Sequence, residues 1–94
     1  MKFLEEYLDP KTISTLEASV PESLKEELRN NSKLVIENIK YLQELGIKNY
    51  DEVFLCYYDM FLLDVSTFIS IFDKYDPDDL IAKIKKNIHI VEIL

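Results

Sequence analysis

Glycine occurs once in these 94 residues, at Gly46, and proline three times, at Pro10, Pro21 and Pro77. An all-β domain needs turn residues about every 8 to 12 positions, so their scarcity excludes one and leaves an all-α fold. A single glycine also excludes a phosphate-cradling loop. Cys56 is the only cysteine, so the chain has no internal disulfide and needs no oxidising compartment. With His89 as the only histidine, it lacks the ligands of a usual zinc site as well. No apolar run approaches the roughly 18 residues of a membrane span. Glu5 and Glu6 stand where an export signal needs an apolar stretch. The expectation is a cytoplasmic chain without a membrane role.

Positive charge is short too: 11 basic residues face 18 acidic ones, for a net charge of −7. Residues 49 to 79 hold eight carboxylates and one lysine, a deficit equal to that of the whole chain. Residues 80 to 94 carry three lysines and one glutamate. An acidic protein is repelled by nucleic-acid backbones and anionic lipid, which weighs against both and favours basic partners.

What is abundant is apolar: 48% of the residues are hydrophobic and 12% aromatic, far from the composition of disorder. Residues 1 to 94 are expected to form one helical domain, a compact stack of five to six short helices. A first segment with Phe3, Leu4, Tyr7 and Leu8 makes one or two turns. Asp9-Pro10 starts a helix over 10 to 18, with an acceptor cap followed by a residue that has no amide to leave unpaired. Ser19 and Glu22 have capping-box spacing before a surface helix in which Leu24 and Leu28 face inward and Lys25 lies among the polar positions. Asn30-Asn31-Ser32 recaps the chain into a helix over 33 to 45 that ends at Gly46. Asn49 with Glu52 offers another capping box. The run Val53 to Leu63 then predicts a helix apolar all round, hence central, with Cys56 a small core side chain. Asp64 caps a helix carrying Phe68 and Phe72, and Asp76-Pro77 starts a helix over 77 to about 92. Ile90-Val91-Glu92-Ile93-Leu94 stays apolar, so this stretch docks on the core, meets a second copy in a homodimer, or continues into a longer protein.

Pro21-Glu22-Ser23-Leu24 returns as Pro77-Asp78-Asp79-Leu80 at an offset of 56, with Asn49-Tyr50-Asp51-Glu52 midway, which suggests helix-pair repeats of about 28 residues. The pattern Leu42-Gln43-Glu44-Leu45-Gly46-Ile47, a capped helix, then Asp59-Met60-Phe61-Leu62-Leu63 resembles the repeat of mitochondrial transcription termination factor-like proteins. The likeness covers roughly residues 21 to 94. In that family a leucine-glycine-aliphatic step precedes a helix ending in proline-x-leucine-leucine; here Asp59 takes the place of that proline. The resemblance implies a nucleic-acid-binding helical array, for which Lys83, Lys85, Lys86 and His89 are the candidate contacts.

The carboxylates of Asp73 to Asp79 lack the alternate spacing and turn glycine of a calcium loop and read as helix caps. Cys56 and His89 lie far apart in sequence and suggest no nucleophile. No catalytic, metal or cofactor site is expected. Tyrosine, apolar with one polar end, is favoured at protein interfaces. Tyr50, Asp51, Tyr57, Tyr58, Asp59 and Asp73 are therefore the candidate contacts of a regulator or inhibitor that binds a basic partner surface, including that of a nucleic-acid-binding protein whose phosphate ligand the carboxylates imitate.

Overall fold

Acceptor caps set three of the helix starts in the computed structural model, which describes residues 1–94. Helix α1 (Pro10–Ser19) begins where Asp9 Oδ1 accepts from the Lys11 amide at 2.7 Å. Helix α5 (Val65–Phe72) begins where Asp64 accepts from the Thr67 amide. Helix α6 (Pro77–Lys86) begins where Asp76 accepts from the Asp79 amide. Between them run α2 (Glu22–Asn30), α3 (Ser32–Leu45) and α4 (Tyr50–Tyr57), with 3-10 helices at Lys2–Leu4, Tyr58–Leu62 and Ile88–Ile93. The fold is all-α: 78% of the residues are helical and there is no strand. No helix is long and apolar enough to cross a membrane.

The longest helix, α3, is the spine. Its buried Val35, Asn38, Ile39 and Leu42 share one face by helical spacing, and α2, α4, α5 and the 3-10 turn Tyr58–Leu62 all pack on α3. Gly46 ends α3 at φ 98°, a left-handed conformation that costs glycine nothing. Four buried phenylalanines run through the centre, with ring centroids 4.8 Å apart for Phe54–Phe61, 5.0 Å for Phe61–Phe68 and 5.2 Å for Phe68–Phe72. Each such pair adds about 0.5–1.5 kcal/mol beyond its burial.

Several local expectations are corrected. The run from Val53 to Leu63 is not one encircled helix: α4 stops at Tyr57, and the chain continues as the 3-10 turn Tyr58–Leu62. The breakpoint is sealed from α3, where the fully buried Asn38 donates through Nδ2 to Phe61 O at 3.0 Å and Leu63 O at 2.9 Å. These bonds take up carbonyls that a continuous helix would have used itself. Likewise α6 ends at Lys86 rather than near residue 92. Asn87 is extended, its Oδ1 accepts from the His89 amide at 3.1 Å, and the 3-10 segment Ile88–Ile93 packs against α6.

The two capping boxes do not form. Ser19 is the last residue of α1 and donates from Oγ to Thr15 O, while Asn49 donates from Nδ2 to Ile84 O at 3.3 Å, tying the start of α4 to α6. Asn31 likewise donates back to Glu27 O instead of capping α3. Lys25 is not a surface cation but only 7% exposed. Its Nζ donates to Glu17 O at 2.8 Å and pairs with Glu22 at 2.9 Å. A cation on a carbonyl in the last turn of α1 complements the helix dipole, and the carboxylate offsets the cost of its burial.

Candidate functional site

The acidic segment from residue 49 to 79 supplies α4, the following 3-10 turn and α5, which all pack on the spine helix α3, and the start of α6. Its side chains divide into two groups. Tyr50 and Asp51 are occupied by the fold. The Tyr50 hydroxyl donates to Tyr7 O at 2.7 Å and accepts from Gln43 Nε2 at 3.0 Å, and Asp51 Oδ2 accepts from the Asp9 amide at 2.9 Å. Both therefore hold the first segment and the entry of α1 against α4, a use no local spacing announces. A side chain spent in this way makes a poor partner contact.

Asp59 and Asp73 are exposed, and Tyr58 is half-buried with its ring on the core. Asp73 lies close enough to Tyr41 that, after burial itself, its charge is the second cause holding that phenol above its ordinary pKa. Asp64 is saturated by three donors: Thr67 Oγ1 at 2.6 Å, Ser66 Oγ at 2.7 Å and the Thr67 amide at 3.2 Å. These bonds, the Thr67 hydroxyl first, hold its carboxyl below the usual carboxylate range. Asp76 caps α6, and Asp78 and Asp79 complement the dipole of its first turn. No three His, Cys, Asp or Glu side chains converge in a way that could hold a metal ion.

One contact joins the two competing residue sets, and no spacing in the sequence announces it. The Tyr57 hydroxyl lies 2.9 Å from His89 Nδ1, with the rings edge to face at 6.4 Å. Burial and then the Glu92 carboxylate raise the pKa of that phenol. This contact pins the 3-10 segment Ile88–Ile93 to the end of α4, so His89 is turned toward its own chain.

The other cations of the basic set are dispersed. Lys83 is ion-paired with Asp79 at 2.9 Å. Lys85 lines an open groove of about 420 Å³ together with Lys48, Asn49, Ile81 and the carboxylates of Asp51 and Glu52, which would repel a phosphate entering it. Lys86 is exposed in the last turn of α6, apart from His89 by the extended Asn87.

Cys56 corrects the reading of the apolar run, for its side chain is exposed on the outer face of α4. Two buried polar residues tie elements together without a role in the sequence pattern: Asn38, and Lys25, which reads there as one of the polar positions of a surface helix. Asn38 had a legible signal: it shares a helical face with Val35, Ile39 and Leu42, where a polar residue has to bond something. Lys25 had only its spacing of three from Glu22. No family model, curated protein or solved structure matches this chain.

Proposed function

We propose that this chain is a small acidic, all-helical interaction module of the cytoplasm, a regulator or inhibitor that engages a basic surface on a partner protein. The observation that carries the reading is that, of the eight carboxylates between residues 49 and 79, Asp79 alone is ion-paired within the chain. A fold that neutralised its own acidic segment would have no field to offer. Here the field is held on short, packed helices and projects outward from Asp59, Asp73 and Asp78. Such a surface accelerates encounter and selects partners by charge, with Tyr58, next to Asp59 in the chain, adding apolar area.

Affinity capture from native extract, eluted with a salt gradient, tests this. A captured protein should be basic, leave the column within a few hundred millimolar salt as screening predicts, and be lost to the variant Asp59→Lys/Asp73→Lys/Asp78→Lys, which spares Asp51 and its bond to Asp9. Retention by that variant would place the contact elsewhere. Anisotropy titration with RNA and DNA at low salt is the companion measurement. Tight binding there would instead support the nucleic-acid reading that the family resemblance implies.

A further inference from the structure

Ile93 is 79% exposed, the extreme among the large hydrophobic residues of the chain. A lone surface isoleucine needs no explanation, but this one stands at the lip of a recess. A cavity of about 160 Å³ opens there, walled by Tyr75, Leu80, Ile90 and Leu94 and edged by Asp79 and Lys83. The wall is firm, because Leu80 is buried in the core, as is Val91 in the same 3-10 segment. The polar edge is an exposed ion pair of one residue of each sign, 2.9 Å apart.

We infer that a second copy of this chain docks on this patch, forming a twofold dimer. The Ile93 side chain of each copy enters the other's recess, and the Asp79 and Lys83 edges face each other across the axis. A twofold interface uses the same patch on both subunits and so requires a surface that complements itself. This one carries a knob and a hole side by side, with a positive and a negative charge side by side at their edge. Rotation about an axis through the patch sets Asp79 of each copy against Lys83 of the other. A partner of single sign would match only one of the two. The patch is small, and the dimer is correspondingly weak, with Kd between roughly 1 µM and 1 mM.

Sedimentation equilibrium over that concentration range tests it. The chain is expected to move from monomer to dimer and no further, since a knob and hole that close on each other leave nothing for a third copy. Ile93→Glu should raise the dimer Kd by at least about a hundredfold, because two isoleucines leave the interface together, while circular dichroism stays unchanged. Asp79→Lys and Lys83→Asp should each weaken the dimer several-fold, and an equimolar mixture of the two variants should associate more tightly than either alone, because both cross-axis pairs become attractive again. A chain that stays monomeric throughout, assembly beyond the dimer, an unaffected Ile93→Glu, or a mixture no tighter than its parts would each overturn the proposal. Deleting residues 90 to 94 is no substitute, since it removes the buried Val91 from the core.

Discussion

Replacing Asn38 with aspartate exchanges a donor for an acceptor at the one place in the core where two carbonyls depend on a side chain. Asn38 is fully buried, its Nδ2 serves Phe61 O at 3.0 Å and Leu63 O at 2.9 Å, and its Oδ1 has no partner of its own. A carboxylate there would face two carbonyl oxygens in a desolvated site, so the folded state favours the protonated acid, which can still donate to one of them. One lost bond costs about 1 kcal/mol. Holding a proton at pH 7 on a group with an unfolded pKa of about 3.9 costs at most roughly 4 kcal/mol more, since each unit is worth about 1.36 kcal/mol. The sign follows from the raised folded pKa: the variant is closest to wild type below about pH 4, and its deficit grows as the pH rises from that unfolded value to the folded one. Urea titration followed by circular dichroism at about pH 4 and pH 7 should find a deficit near 1 kcal/mol at the lower pH and up to about 5 kcal/mol at the higher. Asn38→Ala, which cannot ionise, should have a deficit that is the same at both. An Asn38→Asp deficit equally independent of pH would mean that the site is not dry and that the amide does not seal the break after α4.

Two further perturbations probe the ends of the helices. Gly46→Ala forces a Cβ into a φ of 98° and to within 3.1 Å of Ile81 Cδ1, so it should lower stability by about 1–2 kcal/mol in chemical denaturation, and a variant as stable as wild type would refute the strain. Asp64→Asn keeps an acceptor but discards the charge that three donors stabilise. Because that carboxyl has a lowered folded pKa, the wild-type advantage should be full above about pH 4 and vanish as the pH falls through the folded value, and an advantage that persisted at low pH would point to packing instead.

How much of the fold could be read in advance turns on what a side chain is able to do. The expected caps that form, Asp9, Asp64 and Asp76, are carboxylates, which when ionised only accept, and a free helix amide is what lies nearest to them. The expected caps that fail, Ser19, Asn31 and Asn49, are groups that can also donate, and all three donate to carbonyls instead: two to the preceding turn and one across to α6. The letter in the sequence is the same for either use, and only the tertiary neighbour decides. The apolar run after Asn49 was ambiguous for a related reason. Its composition is compatible with an encircled helix, but a helix can be broken wherever something else bonds the released carbonyls, and here that group is Asn38, some twenty residues earlier in the chain.

The same distinction sorts the candidate surface. Tyr50 and Asp51 looked equivalent to Tyr58 and Asp59 in the sequence, yet Tyr50 and Asp51 hold the first segment while Asp59 is exposed and Tyr58 half-buried with no such bond. Charge reversal at Asp51 would therefore confound lost binding with a loosened fold, whereas the side chains of Asp59 and Asp73 make no hydrogen bond or ion pair within the chain and their reversal changes the field alone; reversing Asp78 also removes a carboxylate from the first turn of α6. The surface that remains for a partner is narrower than the acidic segment as written. It consists of those carboxylates to which the fold has given no other work.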